Sequence, residues 1–144
     1  FAVQHQPELL TRAGAVFAHM TGGRYSGLSR LLDERGTIMA IRPGGDQLAP
    51  WQLSTGAAQQ LYLALRLAYV QHYCARSEPL PLIMDDVLVN FDDARARATL
   101  HTLAELSPEI QVLFFTCHPH LVELARSVVP GLTPIEIPAP VGGQ

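Results

Sequence analysis

Apolar positions recur along this chain with different periods, and each period predicts a different element. Leu9, Leu10, Ala13, Val16, Phe17 and Met20 lie three and four residues apart, approximating a helical stripe that ends near Thr21. Gly22-Gly23 breaks it. The stretches Tyr25 to Leu31, Thr37 to Ile41 and Gln47 to Gln52 follow, punctuated by Glu34-Arg35-Gly36 and Pro43-Gly44-Gly45-Asp46, and they predict a small antiparallel meander. From Gly56 to about Cys74 the helical period returns. Leu61, Leu65, Ala68 and His72 take one face and Leu63, Leu67 and Val70 another, and apolar residues on so many sides predict a buried helix.

Leu80 to Met84 is a short unbroken apolar run ending in Asp85-Asp86, the pattern of a central parallel strand with acids at its carboxyl end. Asp92 or Asp93 can cap a helix to about Leu106, with Ala96, Leu100, Leu103 and Leu106 inward, and Ser107-Pro108 stops it. Val112 to Phe115 predicts a second parallel strand, so strand, helix and strand form a right-handed crossover. His118-Pro119 opens a helix over Leu121 to Val128 that Pro130-Gly131 ends. Leu132 to Ile137 reads as an edge strand, and the tail at 138–144 as disordered. The expected fold class is α/β: parallel strands with flanking helices, plus the antiparallel meander.

Composition narrows the setting. The chain has 144 residues, 48% of them apolar, enough for one domain with a core. Apolar runs such as Leu61 to Val70 are interrupted by Arg66 and followed by His72, so no membrane span is expected. The chain starts at Phe1 with no leader pattern, which suggests a piece of a longer protein. Cys74 and Cys117 are far apart in sequence, with no CxxC pair, which favours a reducing cytoplasm over a disulfide scaffold. A net charge of −3 excludes the basic stripe of a main DNA-contacting surface, so any nucleic acid would be gripped elsewhere.

Four signals that carry chemistry occur in a fixed order. Leu53-Ser54-Thr55-Gly56 sits just before the long helix, where a hydroxyl, a glycine and free helix N–H groups can cradle a phosphate. Ser54 as an ordinary N-cap is the plain alternative. Leu82-Ile83-Met84-Asp85-Asp86 places two acids where ligands bind in open α/β sheets and matches a Walker B strand. The first acid could hold Mg²⁺ and the second orient or deprotonate an attacking water, although a turn pair fits too. Val89-Asn90-Phe91-Asp92-Asp93 follows, readable also as a loop and helix cap. Phe114-Phe115-Thr116-Cys117-His118 ends in an imidazole able to donate to a phosphate oxygen or water, or merely incidental there.

Together, LSTGAAQQLYLALRLA, LPLIMDDVLVNFDD and QVLFFTCHPHLVELA resemble the C-terminal head segment of SMC-like, ABC-class ATPases, of which the bacterial YhaN-type and SbcC-type proteins are the nearest in pattern. The resemblance covers about Gly22 to Ile137. It implies the C-terminal half of an ATPase head at 22–137, with the end of a coiled-coil arm at 1–21. It implies ATP and Mg²⁺ as ligands. Ser54, Thr55 and Gly56 would form the signature motif that meets a nucleotide on an opposing head, and Asp85 would stand at the Mg²⁺. Asp86 would be the catalytic acid, Asn90 and Asp92 would lie in the D-loop, and His118 would sense the γ-phosphate. The implied partners are the N-terminal half of the same head, a second head, and beyond them DNA and a nuclease subunit. DNA repair or chromosome maintenance would be the setting.

Departures accompany the resemblance. Thr55 replaces the first glycine of the LSGG pattern, and Asp86 stands where most of the superfamily has Glu. These motivate an alternative, a head that dimerises on ATP without hydrolysing it. No GxxxxGK[ST] loop occurs, so the chain by itself is expected to be inactive. A metal-dependent hydrolase built on Asp85, Asp86, His118 and His120 is a third reading. A Cys117 nucleophile is weaker still, because sequence neighbours at a strand end point apart.

Overall fold

The computed structural model describes residues 7–139 and 141. Parts of the expected arm end and of the expected disordered tail lie outside the described residues. The elements run α1 (Pro7–Met20), β1 (Gly27–Arg30), β2 (Ile38–Ile41), β3 (Gln47–Leu48), α2 (Thr55–Arg76), β4 (Leu82–Asp85), α3 (Asp93–Leu106), β5 (Val112–Phe115) and α4 (Pro119–Val128). The architecture is α/β as expected, with a three-stranded antiparallel sheet ordered β1-β2-β3 and a parallel pair β4-β5.

The helix break at the double glycine is a Schellman closure. Gly23 N–H donates to the Ala18 carbonyl at 2.9 Å and Gly22 N–H to that of His19 at 3.1 Å. Gly22 has φ of 63°, which a side-chain-bearing residue adopts at a cost. The chain then turns back so that β1 runs against α1. A Cβ on Gly14 would lie 3.0 Å from Leu28 N, so this close approach needs a glycine in the helix. Phe17 and Tyr25 stack nearby with ring centroids 5.1 Å apart. In the meander, Leu28 lies opposite Ala40 and Ala40 opposite Leu48. Its third strand is shorter than the sequence suggests. Pro50 has no N–H for a ladder, and the chain enters a 3₁₀ turn over Pro50–Gln52.

α2 is the central helix, and it buries Ala57, Gln60, Leu61, Leu63, Ala64, Leu67 and Ala68. It is not buried all round. Tyr62, Arg66, Tyr69 and Tyr73 line an exposed face, and Leu65 and His72, expected inward, are only half-buried. Tyrosine rings read as apolar in a periodic pattern, yet their hydroxyls can stay in water. The Gln60 amide, 1% exposed, donates to the Met20 carbonyl at 3.0 Å and approaches Thr99 Oγ1 at 3.5 Å, tying α1, α2 and α3 together.

Two apolar clusters hold the rest. One joins Phe17, Met20, Leu61, Leu67, Leu82 and Met84 beneath the strands. The other joins Leu88, Ala96, Leu100, Leu121 and Leu124 between α3 and α4. β4 pairs β5 in parallel with Leu82 opposite Val112 and Asp85 opposite Phe115, and α3 makes the crossover. The expected edge strand at Leu132 to Ile137 does not form. Pro130, Pro134 and Pro138 remove ladder donors at every fourth position. Ile135 and Ile137 accordingly stay 80% and 69% exposed. Among the described residues, no helix is long and apolar enough to cross a membrane.

Candidate functional site

The carboxyl ends of the two parallel strands gather the acids and the histidine. The β4 pleat sends Leu82 and Met84 inward and Ile83 and Asp85 outward. Asp85 therefore ends the strand exposed, and it has no ion-pair partner among the described residues. Asp86 departs from the pleat. Its N–H still donates to the Phe115 carbonyl at 2.7 Å, but its φ is 55°, the one non-glycine residue in the left-handed region among those described. Such a conformation costs on the order of 1–3 kcal/mol, and Asp is one of the few side chains that tolerates it.

That backbone turn brings the Asp86 carboxylate to the residues leaving β5. Thr116 Oγ1 donates to Asp86 Oδ1 at 3.0 Å and accepts the His118 N–H at 3.1 Å. His118 Nε2 lies 3.5 Å from Asp86 Oδ2, and Cys117 Sγ donates weakly to the same oxygen at 3.7 Å. His118 occupies the N-cap position of α4. Both side chains are partly open, Asp86 at 33% and His118 at 43% exposure. Asp86 and His118 thus meet, as the sequence suggests, while His120 does not join them. His120 Nε2 pairs instead with Asp93 Oδ1 at 2.8 Å and links the starts of α4 and α3. The four-ligand set Asp85, Asp86, His118 and His120 is therefore not assembled.

A second polar group forms where α2 and α3 begin. Ser54 caps α2, its Oγ accepting the Ala57 N–H at 3.2 Å. Asp92 caps α3, with Oδ1 accepting the Arg95 N–H at 2.8 Å and Oδ2 accepting Arg95 Nη1 at 2.7 Å. Arg95 Nη2 reaches across to donate to Ser54 Oγ at 3.3 Å. Arg95 lies over Gly56, where a Cβ would come within 2.9 Å of Arg95 Cδ and 3.1 Å of Nε. A side chain at position 56 would have to displace the Arg95 side chain, whereas Thr55, the first residue of α2, is exposed. The Arg95 backbone N–H, and then its guanidinium, hold Asp92 below the usual carboxylate range. Asn90 is exposed in the turn that precedes Asp92.

Sequence reasoning missed Thr116 and Arg95. The signal for Arg95 was present, an arginine three residues after an N-cap aspartate, which is within reach of that cap. Thr116 sits between two residues that drew attention for their acid–base chemistry. Chemically, the strand-end group can orient a water and exchange a proton. The helix-start group offers a hydroxyl and a guanidinium beside the positive end of a helix, which suits an anion.

Comparison with known proteins bears on the fold. No protein-family model matches the chain. It is 35% identical over 122 residues to the uncharacterized protein YhaN of Bacillus subtilis, an alignment that takes in 84% of the chain. The chain spans 12% of the length of that relative. Among solved structures, it is similar to a chain from work on ATP-driven dimerization and DNA-stimulated activation of SMC ATPases, with a TM-score of 0.67, 19% identity, and coverage of 85% of this chain and 75% of that one. It is similar also to the SMC head domain from Thermotoga maritima, with a TM-score of 0.62, 19% identity, and coverage of 90% and 43%. The fold is that of an SMC head, and the resemblance read from the motifs extends to the structure.

Proposed function

We propose that this chain is the C-terminal lobe of an SMC-like ATPase head, supplying the signature motif, Walker B strand, D-loop and switch histidine for ATP binding and hydrolysis at a head dimer. One observation carries the proposal: in an SMC-head fold, Asp86, Thr116 and His118 converge at the carboxyl ends of adjacent parallel strands.

In this reading Asp86 is the catalytic acid position. Thr116 fixes one carboxylate oxygen, and the other, which Cys117 Sγ approaches at 3.7 Å, would accept the water. His118, its backbone held by Thr116, points its ring at the same place and would hydrogen-bond the γ-phosphate. Asp85, exposed and free of ion pairs among the described residues, offers hard oxygen atoms that suit Mg²⁺. When bound, Mg²⁺ would neutralise charge on the phosphates. Ser54, Thr55 and Gly56 would face a nucleotide held by the opposing head, with Asn90 and Asp92 in the D-loop between heads. The dimerization and DNA stimulation attributed to one similar SMC chain support this arrangement. A coiled-coil arm leading into α1, DNA, a nuclease subunit and a role in DNA repair or chromosome maintenance belong to the same proposal.

The outer face of the parallel pair supports the N-terminal half of the head as a partner. Ile83, Leu113 and Phe115 are 59%, 37% and 40% exposed, although parallel strands are ordinarily covered on both faces. The alternative is a head that dimerises on ATP without turnover, favoured by the short Asp86 side chain and by Thr55. Steady-state ATP hydrolysis by the intact protein with Mg²⁺, with and without DNA, separates the two. Asp86→Asn should lower the rate by about a hundredfold or more, as loss of a positioned base does, and Ser54→Arg should lower it too, by placing a bulky side chain where the nucleotide of the opposing head would lie. An inert wild type that still dimerises with ATP would favour the alternative, and this chain without a phosphate-binding loop should be inactive.

A further inference from the structure

Asp86, Cys117 and His118 offer one carboxylate oxygen, one sulfur and one ring nitrogen that all lie within 4.8 Å of one another. In a tetrahedral zinc site, Zn–S of about 2.3 Å and Zn–N or Zn–O of about 2.0–2.2 Å require ligand-to-ligand edges of about 3.6 Å for S to O and about 3.4 Å for N to O. The observed edges are 3.7 Å from Cys117 Sγ to Asp86 Oδ2 and 3.5 Å from His118 Nε2 to the same oxygen. His19, His101 and Glu105 also gather three ligands, but there both imidazoles approach one oxygen at 2.7 and 3.1 Å, which are hydrogen-bond lengths rather than tetrahedral edges.

We propose that Asp86, Cys117 and His118 form a three-ligand site for a thiophilic divalent cation of the Zn²⁺ class, with a fourth position open to water. Several features make it a built site. The Thr116 hydroxyl orients the Asp86 carboxylate through its other oxygen, as supporting residues around metal ligands do. Asp86 is held in a left-handed conformation that directs it to the residues after β5. All three side chains are partly open to solvent, so an ion can enter. Binding converts the Cys117 thiol to a thiolate and releases its proton to water. Sulfur excludes Mg²⁺ as a strong occupant, so this site is distinct from the Mg²⁺ position proposed at Asp85. Resting on the proposed ATPase reading, a further consequence follows: an ion here removes Asp86 and His118 from nucleotide chemistry and shuts hydrolysis down.

The test is titration of the intact protein with Co²⁺ in the absence of nucleotide, followed by displacement with Zn²⁺. Wild type should develop tetrahedral cobalt bands with a thiolate-to-metal charge-transfer band that Zn²⁺ bleaches. Cys117→Ser, an exposed position, should lose the charge-transfer band and weaken Zn²⁺ binding by more than about a hundredfold, beyond the range for loss of a supporting group. His118→Ala should weaken it similarly. Absence of the band in wild type, or its persistence in Cys117→Ser, overturns the site. In hydrolysis assays Zn²⁺ should inhibit wild type and not Cys117→Ser, and equal inhibition of both overturns the consequence for turnover. A protein that shows the cobalt band but hydrolyses no ATP would count against the ATPase reading alone.

Discussion

The two sheets of this molecule are covered to different extents. In the meander, every residue of β1 is half-buried and β2 buries Ala40 completely, which suits antiparallel strands that share one face with a helix and one with water. In the parallel pair, β4 alternates sharply: Leu82 and Met84 are 9% and 1% exposed, whereas Ile83 is 59% exposed. The two-residue period of strands shows in the burial of β4 and β5 and not in that of β1. The two sheets differ in the chemistry of their outer faces, since the parallel pair keeps Ile83, Leu113 and Phe115 there. The meander is finished by α1 from within the chain, and the parallel pair is the surface on which the proposed N-terminal half would dock.

The sharpest way to break this comparison is to cut both faces of β4. Met84→Ala should destabilise the fold by about 2–5 kcal/mol, the range for truncating a buried large side chain. Ile83→Ser in this chain should change stability by no more than about 0.5 kcal/mol, as exposed substitutions do. Urea denaturation of both variants checks the pair. In the intact protein, the same Ile83→Ser change should become clearly destabilising if the other half of the head covers this face, and an unchanged midpoint there would remove that assignment.

A smaller effect is expected at the junction that closes the covered side. Gln60→Met keeps volume but leaves the Met20 carbonyl without its 3.0 Å donor. Burying an unpaired carbonyl costs about 1–3 kcal/mol. The measured loss of stability should fall in that range and below the loss in Met84→Ala. A neutral outcome would mean that water or a shifted neighbour satisfies Met20, and that the polar tie between the three helices matters less than their apolar contact.

Much of this scaffold was legible in the sequence because burial and period agree. Leu80 to Met84 and Val112 to Phe115 read as strands from continuous apolar runs, and the acids after the first run marked the site end. The meeting of Asp86 with His118 was also readable, since both follow neighbouring parallel strands. What was not readable depends on local backbone geometry and reach. The left-handed turn at Asp86 that recruits Thr116 and Cys117 leaves no periodic trace, and the path of Arg95 over Gly56 links residues 39 positions apart. Leu132, Ile135 and Ile137 mimicked a strand because apolar content was counted ahead of the donors that three prolines remove. The all-round burial expected of α2 failed because Tyr62, Arg66, Tyr69 and Tyr73, which lie between the apolar positions, keep one face exposed.

The smallest expected effect contrasts the two polar caps that serve these regions, Asp33 beside the meander and Asp92 beside the site. Asp33 accepts the Thr37 N–H at 3.1 Å and its hydroxyl at 3.0 Å, and the Thr37 backbone N–H is the main cause that holds its carboxyl below the usual range. Asp92 is lowered chiefly by the Arg95 backbone N–H and then by its charge. A carboxylate whose folded pKa is depressed contributes stability above its unfolded value, near 3.9, and that contribution is lost as pH falls through the lower folded value. Both contributions should therefore be fully present at neutral pH and disappear only in the acid limb below about pH 4. Asp33→Asn and Asp92→Asn should each flatten the pH dependence of the unfolding midpoint in that limb. Salt separates them: part of the Asp92 contribution is an ion pair with Arg95 and should shrink as ionic strength rises, whereas that of Asp33, made of hydrogen bonds to Thr37, should change less. Equal salt sensitivity would show that charge, rather than the backbone donors, sets both caps.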